Sequence, residues 1–199
     1  MSDTLYAEDY LNYQSNRSWL RKTIRKVYLW QVRRHVVGKA IDFGCGVGEH
    51  LSTFPAGSLG LEVNEATVKY CQSHGMNVQL YNPVADDYQL KDIPAGQYNT
   101  VVISHVLEHL DNPDLVLKKL MDSCNRLGIK RIFICVPCEA GFAHDKTHVT
   151  FVTKDYMQQK GLDGYSGFKL KHAGYFPFNL KFVGKLFTYN ELNLLYEHA

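Results

Sequence analysis

The chain has 199 residues, 45% hydrophobic and 21% charged, with a formal net charge of +2. That length allows one domain with a substantial core, and the balance sets aside fibrous and disordered classes. No apolar run approaches the roughly 20 residues of a spanning helix. The N-terminus lacks a signal peptide's basic and apolar regions. The five cysteines follow no framework spacing and read as reduced thiols, so a cytoplasmic location is expected.

Residues 1–14 carry Tyr6, Tyr10 and Tyr13 with little periodicity and read as a loose arm, with Tyr10 and Tyr13 candidates for a lid. From Asn16 to Val36, Leu20, Ile24, Val27, Tyr28 and Val32 recur at helical spacing, and Gly38 suits the stop. Arg17, Arg21 and Arg25 form an i,i+4 stripe on that helix beside Lys22 and Lys26. We read this basic face as a solvated surface; the alternative is an electropositive rim drawing in an anionic acceptor.

Residues 39–48, Lys-Ala-Ile-Asp-Phe-Gly-Cys-Gly-Val-Gly, organise the chain. Ala40, Ile41 and Phe43 make a short buried strand, with Asp42 a carboxylate near its exit. Gly44, Gly46 and Gly48, with Cys45 between, let the backbone turn sharply and admit a ligand to the main chain. Glu49 to Phe54 reads as the start of a helix, which would aim free N–H groups at an anionic ligand. The dinucleotide fingerprint G-x-G-x-x-G requires glycine where Glu49 stands, so an NAD-linked oxidoreductase is disfavoured.

Ser58 to Glu62 is expected as a second strand ending in a carboxylate, followed by Val63 and by Asn64, a helix cap; Gly75 closes that helix. Glu62 stands where a nucleotide-binding αβ unit places its ribose acceptor. Asn77 to Tyr81 is a third strand, and Asp86 or Asp87 in the next loop is a candidate for the adenine amino group. Asn99 to Ser104 is a buried strand with the continuous apolar content of a parallel sheet. Pro113 opens a helix with Leu117, Leu120, Met121, Cys124 and Leu127 on one face, ended by Gly128. Arg131 to Val136 is the fifth strand, and the β–α rhythm implies a doubly wound parallel sheet with Asp42, Glu62, Ser104 and Pro137 along its ligand-binding edge.

Asp42-Phe-Gly-Cys-Gly-Val-Gly48, Gly60-Leu-Glu62 and Ser104-His-Val-Leu-Glu-His-Leu110 with Asp111-Asn-Pro113 resemble successive motifs of class I S-adenosylmethionine-dependent methyltransferases. The H-V-L-E-H-L run is similar to that of the small-molecule branch. The resemblance covers 36–155 and implies a Rossmann-like seven-stranded sheet whose last strand is antiparallel. It implies S-adenosylmethionine as cofactor, with Glu62 on the ribose, Gly44–Gly48 supporting the methionine part and Asp42 near its ammonium. The cofactor set is then Asp42, Gly44, Cys45, Gly46, Gly48, Glu62, Val63, Asp86, Ser104 and His105.

The acceptor side is read in the loop Pro137 to Thr153, with Thr153 capping a short helix through Lys160. His144 or His148 is a candidate general base or, equally, a pin for the loop, with Asp145 beside them and His105 an alternative at a strand tip; His109 is read as structural. Cys135-Val-Pro-Cys138 with His144 and His148 has metal-binding residue types, yet its gap is far shorter than a zinc finger's, so no metal is expected there. A redox C-x-x-C is also set aside, because no helix is expected directly after the strand. Phe168 to Tyr175 and Asn190 to Glu197 complete the strands. The whole reads as one domain: arm and helix over 1–38, cofactor core over 39–136, acceptor loop and last strands over 137–199. The expected activity is methyl transfer to a small molecule, an oxygen of a metabolite, sugar or glycan precursor. A non-catalytic cofactor-binding accessory protein is the alternative. No RNA-binding motif is present, so nucleic acid is not the expected partner.

Overall fold

A computed structural model describes residues 19–199, with side chains from residue 25 onward. The tyrosine arm, Arg17 and the side chains of Leu20, Arg21, Lys22 and Ile24 lie outside the described residues. Helix α1 (Trp19–Arg33) buries Tyr28 and Val32, and Gly38 ends the turn after it at φ +61°. Arg25, the described member of the arginine stripe, is ion-paired with Glu49 at 2.8 Å.

Eight strands form one sheet: β1 (Ala40–Phe43), β2 (Leu59–Glu62), β3 (Val78–Leu80), β4 (Thr100–Ser104), β5 (Arg131–Pro137), β6 (Gly164–Tyr165), β7 (Phe168–Phe176) and β8 (Glu191–His198). Their order is β3-β2-β1-β4-β5-β8-β7-β6. β1 to β5 are parallel, and β8 inserts antiparallel between β5 and β7. The Rossmann-like, mostly parallel architecture with an antiparallel final strand is as expected. The count is eight rather than seven, because the two-residue β6 hairpins onto β7.

Alternation along the strands divides the core. Ile41, Val101, Ile103, Ile132 and Ile134 meet Leu117, Leu120, Met121 and Cys124 of α3 (Pro113–Leu127) on one face. Ala40, Val102, Phe133 and Cys135 meet Val32 of α1 with Val68 and Cys71 of α2 (Glu65–Ser73) on the other. Burying each large apolar side chain stabilises the fold by about 1.5–3 kcal/mol before entropy is counted. The caps are those the sequence names: Asn64 Oδ1 accepts from Thr67 N–H at 3.0 Å, Gly128 takes φ +76° after α3, and Thr153 Oγ1 accepts from Tyr156 N–H at 3.0 Å to open α5 (Lys154–Gln159).

Two expectations are corrected. Glu49 to Phe54 does not begin an α-helix; only Leu51–Thr53 forms a single 3-10 turn. Pro55 forces Phe54 into extended backbone at ψ 163°. Ser52 and Thr53 hydroxyls donate to the Glu49 and His50 carbonyls at 2.7 Å, competing with helical pairing. The segment after Pro137 is not all loop, since α4 (Glu139–His144) starts at once with Cys138 as its first flanking residue. A helix therefore does follow the Cys135–Cys138 pair, contrary to the argument used against a redox motif; both thiols are free and buried.

Gly38 joins α1 to β1, and a Cβ there would lie 2.2 Å from Asn99 Oδ1. Left-handed backbone and this clash together make Gly38→Ala destabilising by about 1–3 kcal/mol. Urea unfolding of the variant checks this, and an unchanged midpoint contradicts it.

Candidate cofactor and acceptor site

The site lies where β1, β2 and β4 end. Gly44 leaves β1 at φ +74° and donates its N–H to the Leu61 carbonyl at 2.9 Å; a Cβ on it would reach Val106 Cγ2 at 2.6 Å. Gly46 is also left-handed, and a Cβ there would meet nothing within 4 Å, so its outer face is open. Its N–H donates to Glu62 Oε2 at 2.9 Å, while Asn64 N–H donates to Oε1 at 2.9 Å. Each carboxylate oxygen accepts one backbone bond and keeps a second lone pair for a ligand hydroxyl. The absent α-helix is thus replaced by a carboxylate that pins the glycine turn.

Beside this turn opens a cavity of about 350 Å³, lined by Gly44, Glu62, Val63, Tyr81, Tyr88 and His105 among others. Its size is within the range of small-ligand sites. Asp42 is not part of its lining; it is 2% exposed, and its Oδ2 has no protein partner. Burial pushes its carboxyl up to about 7, against the Leu51 N–H and Arg25, which pull it down.

Other expected residues are placed differently. Cys45 packs its side chain into the core against Gly60, and a Cβ on Gly48 would strike Met76 Sδ, so these two shape the turn from behind. Asp86 accepts the Tyr81 hydroxyl at 2.7 Å, outside the cavity's lining. Burial opposes its ionisation, yet Tyr81, nearby backbone N–H groups and Lys91 hold the carboxyl below its usual range. Asp87 is ion-paired with Lys119. Ser104 Oγ lies 3.3 Å from His50 Nε2, and burial lowers that imidazole to about 3.

On the acceptor side, His105 lines the cavity and the other three candidates do not. It holds left-handed backbone at φ +56°, which costs a non-glycine residue about 1 kcal/mol or more. Its Nδ1 is 3.2 Å from Glu108 Oε1 and its Nε2 3.0 Å from Glu191 Oε1. Burial works against charge on this ring, but Cys135 and the two carboxylates hold its pKa well above the ordinary value. Cys135 Sγ donates to Glu191 Oε2 at 3.0 Å, and burial with that carboxylate pushes the thiol up to about 12. His148 forms a loop lock instead: its Nδ1 meets the Phe142 carbonyl at 2.9 Å and its ring packs on His109. Asp145 accepts from Thr147 N–H and Oγ1–H, and His144 is exposed.

Sequence reasoning missed Tyr81 and Tyr88 as cavity walls, and Glu108, Cys135 and Glu191 as partners of His105. Glu108 was in view inside the H-V-L-E-H-L run. Glu191 carried no local signal, since β8 brings it to His105 across 86 residues.

The profile of the methyltransferase-domain family matches residues 13–193. A protein from Archaeoglobus fulgidus, described as a SAM dependent methyltransferase, is 20% identical, with 94% of this chain and 98% of its own covered and a TM-score of 0.61. Magnesium protoporphyrin IX methyltransferase of Synechocystis PCC 6803, solved with SAH bound, is 17% identical over 89% of this chain and 83% of its own, at 0.58. The methyltransferase domain of bacterial CtHen1-C gives 15%, 90%, 97% and 0.59. A sequence search of curated proteins gave no match. The chain belongs to the methyltransferase-domain family; it is a class I enzyme whose cofactor is S-adenosylmethionine.

The residues present fit that cofactor. Glu62 has free acceptor capacity for the ribose hydroxyls, the open face of Gly46 admits a ligand to the backbone, and the orphaned oxygen of Asp42 suits an ammonium. Among the described residues no helix is long and apolar enough to cross a membrane.

Two outcomes are expected. Glu62→Ala removes charge-assisted bonds worth about 1.5–3 kcal/mol each, so S-adenosylhomocysteine binding weakens about tenfold or more by calorimetry; unchanged affinity contradicts the assignment. For Asp42, folded and unfolded chains are alike when both are protonated, and the burial penalty grows as pH rises from 3.8 to about 7. Asp42→Asn therefore stabilises the cofactor-free protein by about 1–4 kcal/mol near pH 8 and little near pH 4. Thermal melts across that range check the sign, and a variant less stable at the higher pH contradicts it.

Proposed function

We propose that this enzyme transfers a methyl group to an oxygen of a small-molecule acceptor, a metabolite, sugar or glycan precursor. The observation that carries the reading is one continuous cavity with Glu62 and Gly44 on one wall and His105 on another. When bound, S-adenosylmethionine supplies an electrophilic methyl carbon on a positively charged sulfur. In this reading Glu62 holds the ribose, Asp42 balances the ammonium, and the Gly44–Gly46 backbone orients the methionine part. Tyr81 and Tyr88 bound the adenine side, and Asp86 acts through Tyr81 rather than on the base itself.

His105 takes the acceptor role. Glu108 and Glu191 fix its ring, so the strain of its backbone serves to hold one imidazole orientation at the mouth of the reaction space. His148 and Asp145 are assigned to anchoring the loop 145–150, whose Val149 and Thr150 N–H groups donate to the Glu108 carbonyl. Arg25, on the basic face considered as a rim for an anionic acceptor, is paired with Glu49. Five buried free thiols support a reducing, cytoplasmic setting.

The test is release of S-adenosylhomocysteine with labelled methyl appearing on a panel of hydroxylated metabolites. His105→Ala is expected to lower turnover about 100-fold with a far smaller change in the cofactor's KM. Turnover that survives the substitution removes His105 from the acceptor role. Cofactor binding without turnover on any acceptor favours the accessory-protein alternative.

A further inference from the structure

We propose that His105 Nε2, Cys135 Sγ and the Glu191 carboxylate form a binding site for a divalent cation of the zinc type. These ligand atoms, from the tip of β4, the end of β5 and the start of β8, all lie within 4.8 Å of one another. Glu191 Oε1 is 3.0 Å from His105 Nε2, Glu191 Oε2 is 3.0 Å from Cys135 Sγ, and Sγ is 3.9 Å from Nε2. Tetrahedral zinc with bonds of about 2.0 Å to nitrogen and oxygen and 2.3 Å to sulfur sets ligand atoms roughly 3.3–3.6 Å apart. The two 3.0 Å contacts are made by different oxygens of Glu191, so closing the triangle on one of them needs that carboxylate to turn, within a set that already lies within 4.8 Å.

The chemistry of the set supports a metal over a plain hydrogen-bond network. The contacts to Glu191 are made by protons on the thiol and on Nε2, the ones a dication displaces on binding; both leave to solvent, giving thiolate and neutral imidazole ligands. His105 then keeps its Nδ1–H on Glu108 Oε1, the carboxylate partner that metal-bound histidines characteristically have. Glu108 is fully buried, and its other oxygen has no protein partner. Asn193 stands opposite Cys135 in the sheet and on the same strand face as Glu191; it is 3% exposed, and neither end of its amide has a protein partner. Mixed His, Cys and carboxylate ligation with three protein ligands leaves a fourth position open, as catalytic zinc sites do. Of the three ligands, His105 also lines the cofactor cavity, while Cys135 and Glu191 lie outside its lining. This is a different set from Cys135, Cys138, His144 and His148: Cys138 packs against Asn190 and Gly184, and His144 is exposed.

The experiment is titration of the chelator-treated, cofactor-free full-length protein with Co²⁺, then Zn²⁺. One equivalent of Co²⁺ is expected to give a thiolate-to-metal charge-transfer band in the near ultraviolet, which Zn²⁺ removes. Cys135→Ser abolishes the band, and Glu191→Gln weakens Co²⁺ binding about tenfold or more. Cys138→Ser, and His109→Ala or His148→Ala, leave it in place. No band in the wild type, a band surviving Cys135→Ser, or binding lost on changing His109 or His148 instead overturns the assignment. None of these readings depends on methyl transfer, so failure here is distinct from loss of cofactor binding in Glu62→Ala.

Discussion

The hydrogen bonds from Gly46 and Asn64 N–H to the two oxygens of Glu62 hold the site together. A glycine turn this open has many conformations, and nothing on its outer side restricts Gly46. The carboxylate at the end of β2 selects one of them and links the tip of β1 to the cap of α2. Parallel pairing of Asp42 with Gly60 and Phe43 with Leu61 fixes the height of Glu62 against the turn. The two candidate cofactor carboxylates thereby come from neighbouring strands, with Asp42 buried and Glu62 half-buried.

That arrangement accounts for the substitution of a 3-10 turn for the helix expected after the glycines. A helix N-terminus and a carboxylate solve different problems: the first offers unpaired N–H groups, the second acceptor oxygens. A cofactor with ribose hydroxyls and an ammonium needs acceptors, and in the proposed reading these are Glu62 and Asp42.

Much of this was legible in the sequence because it depends on local backbone demands. Gly44, Gly46, Asn64, Pro113, Gly128 and Thr153 each satisfy a turn or cap that few residues satisfy, so their roles can be read one segment at a time. Glu62 was legible because strand length and loop length fix where β2 ends. The grouping around His105 was not, although His105 itself was named as a candidate at its strand tip. His105, Cys135 and Glu191 belong to three strands, and only the insertion of β8 between β5 and β7 joins them. No periodicity records that order. The loop histidines were open to two readings, a general base or a pin for the loop, and His148 is held by Phe142 and His109. Glu49–Phe54 was misread because the effect of Pro55 on Phe54 was not weighed.

The central claim is that Glu62 grips the ribose of S-adenosylmethionine while still pinning the glycine turn. A crystal structure of the protein grown with S-adenosylhomocysteine tests it most directly. The account predicts the nucleoside in the cavity between Gly44 and Tyr81, with both ribose hydroxyls on the Glu62 carboxylate and the Gly46 bond retained. A nucleoside bound elsewhere, or with its hydroxyls directed away from Glu62, would contradict it.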